Sequence, residues 1–302
     1  MAKSNIVTLD LNFQNKTQAI ASYLIRHDSG AVLIESGPGS TLSSLEAGLA
    51  KEGLSPRDIT HVLLTHIHLD HAGAAGWLSR QGAQIFVHPN GAAHMLNPEK
   101  LIASATRIYG DRMGTLWGEF LPVAENQLTV PQDAEEIVIG NLKFVAINTP
   151  GHAEHHYSYL FEDVCFSGDV GGVRIPGYPY LRAPMPPPEL HFGRWRESIA
   201  RLRALKFARI APTHFGIFDD VEWQLNELQK NLDAAEKWLE EIMPAEPSVD
   251  EMRAKFEAWM YEQSRAQNLS KDVVQAYALA NPLGMSVDGM IRYWKKVKMA
   301  GV

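Results

Sequence analysis

The stretch LLTHIHLDHAG, residues 63–73, concentrates side chains that could bind metal ions. Three histidines and one aspartate, His66, His68, Asp70 and His71, follow an apolar run directly. If all four were buried in an ordinary core, each would need its own hydrogen-bond partner, because an unpaired buried polar group costs about 1–3 kcal/mol. One cluster of divalent metal ions would satisfy all four together. The stretch therefore predicts a metal site.

The spacing within this stretch suggests two ions. His66 and His68 are two residues apart, so in an extended segment their rings project to the same side and can share one ion. Asp70 and His71 fall where the chain turns into a helix and can face a second ion. A catalytic zinc usually takes three protein ligands and an open position, so further ligands are required. Three candidates each follow a predicted strand, where a rigid sheet positions ligands accurately: His152 in NTPGH, Asp169 in SGD and His214 in PTHFG.

The order and spacing of these residues resemble the metallo-β-lactamase-fold superfamily, specifically its dinuclear hydrolase branch, which includes glyoxalase II, the acyl-homoserine lactonases and the RNase Z nucleases. The resemblance covers about residues 5–219. It implies an α/β (α+β) fold, an αββα sandwich with the metals at one edge. It also implies a ligand set: His66, His68 and His152 on one metal, Asp70, His71 and His214 on the other, and Asp169 bridging the two.

Two residues refine this resemblance. The strand AVLIESGPG matches the family's first motif at Glu35, where an aspartate is usual; the retained carboxylate would orient a ligand imidazole or its loop from behind the metal ligands. The zinc β-lactamases that give the superfamily its name lack a bridging aspartate, and many use a cysteine ligand. Here Asp169 is present, and Cys165, the only cysteine, lies inside a predicted strand. Antibiotic hydrolysis is therefore not expected.

Short strands separated by Gly, Pro and Asp must position these ligands. The pattern predicts strands at 6–11, 19–26, 31–35, 61–64, 84–88, 136–139, 143–147, 157–161, 164–166 and 209–211. Two-residue turns at 140–141 and 162–163 join neighbouring strands as hairpins. Helices are predicted between the strands at 41–52, 72–80, 98–109 and 195–207. Such a mixture indicates sheets covered by helices on their outer faces.

The chain changes character near residue 219. From Val221 to Ile242 the apolar positions step by three and four, which predicts a long amphipathic helix. Further helices are predicted at 249–267, 271–280 and 285–298. We therefore expect a catalytic domain over 1–219 and a helical C-terminal extension over 220–302. The apolar seam of the long helix should pack within the chain, with a two-fold contact in a homodimer as the alternative.

The segment 171–191, GGVRIPGYPYLRAPMPPPELH, is dense in Pro and Gly and predicts a loop. Its Tyr178, Tyr180 and His191 are candidates for substrate binding, with ordinary surface packing as the alternative. The basic run RWRESIARLRALKFAR that follows is typical of a solvated helix face. The alternative is a clamp for the phosphate or carboxylate groups of a large acyl carrier.

Charge and composition restrict the partners. The net charge of −7 and the pI near 5.9 argue against nucleic acid or an anionic membrane surface, because both attract basic patches. The first residues lack the apolar core of a signal peptide, and no stretch approaches the ~20 apolar residues of a membrane span. We therefore predict a cytoplasmic protein that acts on a small molecule.

The resemblance implies two divalent ions, with zinc preferred and manganese or iron also compatible with imidazole and carboxylate ligands. Two such ions about 3.5–4 Å apart can hold a bridging water and ionise it near neutral pH. Asp70, bound through one oxygen, would orient that water or pass a proton to the leaving group. We predict hydrolysis of an ester, lactone or thioester carbonyl. An RNase Z-like phosphodiesterase and a metal-binding sensing protein with vestigial turnover are the alternatives.

Overall fold

The computed structural model describes residues 4–299, so residues 1–3 and 300–302 of the two predicted domains lie outside the described residues. Its strands form two sheets. The first sheet has six strands, which lie side by side in chain order: β1 (Ile6–Asp10), β2 (Ala21–His27), β3 (Gly30–Ile34), β4 (Ile59–Leu63), β5 (Gln84–Phe86) and β6 (Leu128–Thr129). The β1–β2 and β2–β3 pairs are antiparallel, and β3 to β6 run parallel.

The second sheet has five strands in the order β11-β10-β9-β8-β7: β7 (Glu136–Ile139), β8 (Leu142–Asn148), β9 (Tyr157–Phe161), β10 (Val164–Phe166) and β11 (Arg209–Ala211). Both predicted hairpins are present, since β7 pairs with β8 and β9 with β10 in antiparallel register. Strand β11 joins the edge in parallel with β10. This last pairing brings residues about forty-five positions apart to neighbouring strand ends.

Eleven α-helices accompany the sheets within the described residues: α1 (Leu42–Lys51), α2 (Leu69–Ala72), α3 (Ala75–Gln81), α4 (Pro89–Leu96), α5 (Glu99–Tyr109), α6 (Met113–Trp117), α7 (Phe192–Ala204), α8 (Val221–Ile242), α9 (Val249–Ala266), α10 (Lys271–Ala280) and α11 (Leu283–Tyr293). A π-helical turn, Trp294–Lys298, continues from α11.

Three hydrophobic clusters define the layers. The central cluster lies between the sheets and includes Tyr23 and Ile34 of the first sheet with Phe144 and Tyr159 of the second. A second cluster joins the outer face of the first sheet to α1, α3 and α4. A third joins the outer face of the second sheet to α7, α8, α9 and α11. The predicted αββα sandwich is confirmed, because helices cover both sheets on their outer faces.

The predicted helix at 72–80 is two helices in the structure. The helical hydrogen bonds are interrupted at Ala74 (φ −90°, ψ −1°), whose N–H donates to the Gly37 carbonyl at 2.8 Å. Gly73 beside it packs so closely on the preceding loop that a Cβ there would lie 2.7 Å from Pro38 Cα. This contact fixes the short helix α2, which carries Asp70 and His71, against the end of β3.

The predicted strand at 84–88 ends early, at Phe86. His88 instead caps the N-terminus of α4, because its Nδ1 accepts the N–H of Asn90 at 3.1 Å and Pro89 occupies the first helical position. Helices α4 and α6 and the two-residue strand β6 were not predicted. The sequence HPN, with its proline at the first helical position, is the signal that indicates this helix start.

The C-terminal residues are helical, as predicted, from α8 onwards. The apolar seam of α8 is buried against α7 through Leu225, Leu228 and Leu232, so it is used within the chain and is not free for a two-fold contact. Helices α9 and α11 complete the same cluster through Phe256 and Met290. Among residues 4–299, no helix has both the length and the apolar character needed to cross a membrane.

Candidate metal centre

The predicted ligands lie at the carboxyl ends of strands from both sheets. His66 and His68 follow β4, and Asp70 and His71 lie in α2 directly after them. Three other ligands follow strands of the second sheet: His152 after β8, Asp169 after β10 and His214 after β11. Because the two sheets pack face to face, these ends meet at one edge of the sandwich. The structure brings all seven side chains together there.

The donor atoms form two groups. Those of His66, His68 and His152 lie within 4.8 Å of one another, and His68 Nδ1 lies 3.0 Å from His66 Nε2 and 3.1 Å from His152 Nε2. Those of Asp70, His71 and His214 form the second group, also within 4.8 Å. Each group has the three protein ligands that a catalytic divalent ion usually takes.

The Asp169 carboxylate lies between the two groups. Its Oδ2 is 3.3 Å from His152 Nε2, and its Oδ1 is 3.3 Å from the Nε2 atoms of both His71 and His214. Each oxygen therefore faces a different group. This is the position of a bridging ligand in a dinuclear site.

Buried donor atoms in the centre provide a test of whether metal ions fit. His71 Nε2, Asp169 Oδ1 and His214 Nε2 are buried and make no hydrogen bond with any described residue. Such orphaned atoms are costly in a native interior and call for an explanation. All three point into the same space, and all are atoms that bind divalent metals. The donor set therefore fits a pair of divalent cations.

The outer ring nitrogens of the histidines are anchored, which fixes the direction of the inner ones. His152 Nδ1 lies 2.8 Å from the Pro184 carbonyl, and His214 Nδ1 lies 2.7 Å from the Ala19 carbonyl. His66 Nδ1 lies 3.0 Å from Thr65 Oγ1. His68 differs from the rest, since it presents Nδ1 to the centre.

Glu35 supports the site from behind. Its Oε1 lies 3.0 Å from His71 Nδ1 and accepts the hydroxyl hydrogens of Thr65 and, at 3.0 Å, of Thr213. Donor atoms of Glu35, His66 and His71 also lie within 4.8 Å of one another. The Glu35 carboxylate is already occupied by these bonds, so we assign it an orienting role. Its left-handed backbone (φ 68°), rare for a residue with a side chain, turns the chain from β3 towards α2.

Burial and neighbouring charges shift the histidine pKa values of the two ligand groups in opposite directions. Burial, reinforced by other histidines, lowers the pKa of His68 to about 3 and that of His66 well below its usual range. In the second group burial is outweighed: Asp169 and Asp70 raise the pKa of His214 to about 10, and His71 and His214 lower that of Asp70 to about 2. Without metal, His214 therefore holds a proton that a metal ion would have to displace.

The loop that presents His152 is pressed against α7. A Cβ at Gly151, which has φ +136°, would lie 2.4 Å from Trp195 Cα. The His152 ring meets the Trp195 ring edge to face, with centroids 5.6 Å apart. Only glycine fits at position 151, and this close approach locates the ligand that follows it.

Comparison with known proteins identifies the family to which the chain belongs. A family model described as the metallo-beta-lactamase superfamily matches residues 17–214. The chain belongs to the metallo-β-lactamase superfamily. The match ends at His214, so it includes every proposed metal ligand and stops before α8.

Relatives within the superfamily are distant. The metallo-beta-lactamase fold-containing protein ST1585 of Sulfurisphaera tokodaii is 28% identical over 163 residues, 53% of this chain and 61% of the relative. A hydroxyacylglutathione hydrolase of Xylella fastidiosa is 29% identical over 148 residues, 49% of this chain and 43% of the relative. The chain thus spans less than two thirds of these curated relatives.

A solved structure extends the comparison to the C-terminal helices. The metallo-beta-lactamase family protein TTHA1429 from Thermus thermophilus has a TM-score of 0.68 at 18% identity, covering 99% of this chain and 94% of the other. That superfamily structure therefore shares the fold over both the sandwich and the helical extension.

A cavity of about 310 Å³ opens over the metal centre. Its floor includes His68, Asp70, Asp169 and His214. Its other lining residues come from α5 and Trp117, from residues 184–189 and from the α10–α11 connection, 279–285. The C-terminal helices therefore line the active-site cavity, a question that the sequence left open.

The three residues proposed for substrate binding lie elsewhere. Tyr180 is buried, with its hydroxyl near Arg182 Nε (3.2 Å) and Ser264 Oγ (3.4 Å), and Tyr178 is 37% exposed. His191 caps α7 by accepting the N–H of Arg194 at 3.2 Å. None of them is among the described residues that line the cavity. The loop predicted at 171–191 does reach the cavity, but it does so through its prolines and not through its tyrosines.

The basic run of α7 is neutralised by neighbouring acids. The ion pairs are Arg194–Glu154, Arg196–Asp233, Arg196–Glu236, Arg201–Asp133, Arg203–Glu222 and Arg209–Asp163. This pairing agrees with a solvated helix face. It leaves these guanidinium groups without a role in an anion clamp.

Proposed function

We propose that the chain is a dimetal hydrolase that cleaves an ester, lactone or thioester carbonyl. The observation that carries this proposal is the position of Asp169, whose two oxygens face two separate groups of three ligands. His66, His68 and His152 would hold one ion, and Asp70, His71 and His214 the other. Zinc is the preferred metal, and manganese or iron would also fit these ligands.

Two divalent ions, when bound, would supply an ionised water near neutral pH and would polarise the carbonyl oxygen. The side chains supply the remaining steps. Asp70 faces His214 through Oδ2, at 3.4 Å. Its carboxylate would take the proton that the water loses on ionising and deliver it to the leaving oxygen or sulfur. The water oxygen bonds to the acyl carbon, the C–O or C–S bond breaks, and an acid and an alcohol or thiol leave.

The cavity walls support a carbonyl substrate more than a nucleic acid. The walls are rich in apolar side chains such as Ile67, Leu101, Trp117 and Met285, and the whole chain carries a net charge of −7. A phosphodiester of RNA would require a basic path leading to the metals. We therefore propose a small-molecule substrate, with no nucleic-acid or membrane partner.

The test is a metal count on the purified protein together with a substrate panel: p-nitrophenyl acetate, a lactone, a thioester and bis-p-nitrophenyl phosphate. About two equivalents of metal and cleavage of a carbonyl member are expected. Asp70→Asn and His68→Ala should abolish turnover while the circular dichroism spectrum is unchanged. Cleavage of the phosphodiester alone, or metal binding with no turnover of any member, would contradict the proposal and favour a phosphodiesterase or a sensing protein.

A further inference from the structure

One wall of the cavity is a single face of α5. Its lining residues recur at helical spacing: Lys100, Leu101, Ser104, Ala105, Ile108 and Tyr109. Because an α-helix has 3.6 residues per turn, these side chains project to the same side. Helix α5 therefore runs along the cavity.

The two ends of this face differ in chemistry. At its C-terminal end the Tyr109 ring packs edge to face on Trp117, with centroids 5.1 Å apart. Tyr109 and Trp117 line the same cavity as Asp70, whose carboxylate, after burial, raises the pKa of Tyr109. Lys100 lies about 13 Å away along the helix axis, at ~1.5 Å per residue. Between the two ends, Leu101 and Ile108 give the wall an apolar surface.

The Lys100 end carries polar groups that have no partner within the described chain, and Lys100 and Ser104 are exposed to solvent. His94, Lys100 and Ser104 all line the cavity, and none of their side chains makes a hydrogen bond or ion pair with residues 4–299. Lys100 is the one lysine or arginine among the described lining residues. The one glutamate among them, Glu189, is occupied, since it accepts the Glu154 N–H at 2.9 Å and lies 3.5 Å from His155 Nε2.

We propose that the substrate is an amphiphile with an anionic group at a distance from its scissile carbonyl, and that Lys100 binds this group. The anionic group is a carboxylate or a phosphate, and the segment between it and the carbonyl is apolar. That segment would pack against Ile108 of α5 and Met285 of α11, which line the same cavity. This inference rests on the proposed function, because it takes the scissile carbonyl to lie over the metal centre. The anionic group takes no part in the bond changes of hydrolysis.

The first test compares two esters of equal chain length: p-nitrophenyl octanoate and the p-nitrophenyl monoester of octanedioic acid. The metal-loaded, full-length protein should have the higher kcat/KM on the anionic ester. Lys100→Met should lower that kcat/KM roughly three- to tenfold, the size expected for a partly exposed ion pair. It should leave the neutral ester within about twofold. Lys51→Met, at an exposed lysine outside the cavity, is the matched control and should change neither value.

A second arm identifies which side of the substrate carries the charge. Octanoyl thioesters of 3-mercaptopropionate and of propanethiol place an anion, or none, on the leaving group. A Lys100→Met effect confined to the octanedioate ester assigns the anion to the acyl side, and an effect confined to the mercaptopropionate thioester assigns it to the leaving group. A higher NaCl concentration should weaken the preference for the anionic substrate in either case, because salt screens exposed charges.

Binding without turnover separates this inference from the proposed function. Calorimetry would compare 8-(4-nitrophenoxy)octanoate with its carboxamide, neither of which has a scissile ester. Weaker binding of the carboxylate alone in Lys100→Met supports the anion site even if no carbonyl compound is cleaved. Equal effects of Lys100→Met on anionic and neutral compounds, or none on either, would overturn the inference while leaving hydrolysis intact.

Discussion

Asp169 Oδ1 lies 3.3 Å from His214 Nε2, yet neither atom makes a hydrogen bond with any described residue. His71 Nε2 is in the same position, 3.3 Å from the same oxygen. Three buried donor atoms thus surround one point without bonding to each other. A cation at that point would satisfy all three together; without it, the Asp169 and Asp70 carboxylates raise the pKa of both His71 and His214, so protons take its place.

Metal removal should therefore destabilise the protein as well as inactivate it. A ligand that binds only the folded state at a hundred times its Kd adds about 2.7 kcal/mol to the free energy of unfolding. Thorough chelation should lower Tm by several degrees and abolish ester hydrolysis, and added zinc should restore both. Differential scanning calorimetry with elemental analysis measures this. Full activity in protein shown to be free of metal would refute the dimetal assignment.

Glu35→Gln should weaken metal binding without unfolding the chain. The amide keeps the volume, but it removes the negative charge beside His71, and its NH2 group cannot accept the Thr65 N–H that now bonds Oε2 at 3.3 Å. Loss of such an orienting carboxylate typically costs about 10–100-fold in metal affinity or activity. Competition with a chromogenic chelator gives the affinity. Glu46→Gln on the exposed face of α1 is the control, and an equal loss in both variants would remove the special role of Glu35.

Tyr277→Phe should loosen the C-terminal helices. The Tyr277 hydroxyl donates to the Tyr180 carbonyl at 2.7 Å and accepts the Ile175 N–H at 3.0 Å, so it ties α10 to the loop after β10. Its removal leaves two buried backbone groups unpaired and should cost about 1–3 kcal/mol. Urea denaturation measures the change. Tyr261→Phe, at a tyrosine 56% exposed on α9, should cost almost nothing, and similar losses in both variants would contradict this assignment.

Glu236 should contribute to stability at neutral pH and lose that contribution in acid. Burial raises its pKa, but hydrogen bonds from Tyr293 (2.8 Å), Lys298 (3.0 Å) and Arg196 (2.7 Å) outweigh burial, so the net pKa is lowered. A lowered folded-state pKa means that the stabilisation is complete above the unfolded value, near ~4.3, and is lost as the pH falls through the folded value.

The variant that tests this pH dependence is Glu236→Gln. It should be less stable than the parent by about 1–2 kcal/mol at pH 7, and the difference should shrink below pH ~4. Urea midpoints from pH 7 to pH 3 provide the measurement. The exposed Glu262→Gln serves as the control, and a stability gap for Glu236→Gln that stays constant down to pH 3 would contradict the titration argument.

The resemblance to the metallo-β-lactamase-fold superfamily was sufficient to predict the sandwich and the seven side chains that the structure brings together, and the strand pattern placed several of them directly after strands. His66, His152 and His214 are examples whose positions depend on little else. Their binding of metal stays a prediction. The cavity walls were harder to predict, since they depend on contacts between distant segments. Lys100 and Met285 lie far apart in the chain, and no local pattern indicates that they line the same cavity.

The C-terminal helices supply one side of the cavity although they lie outside the segment that defines the superfamily. The cavity is therefore lined from two stretches of the polypeptide, one inside the matched segment and one beyond it. Exchanging the α10–α11 connection should change which compounds enter the cavity while every metal ligand stays in place. Agreement in the histidine motifs is then insufficient, by itself, to predict a shared substrate.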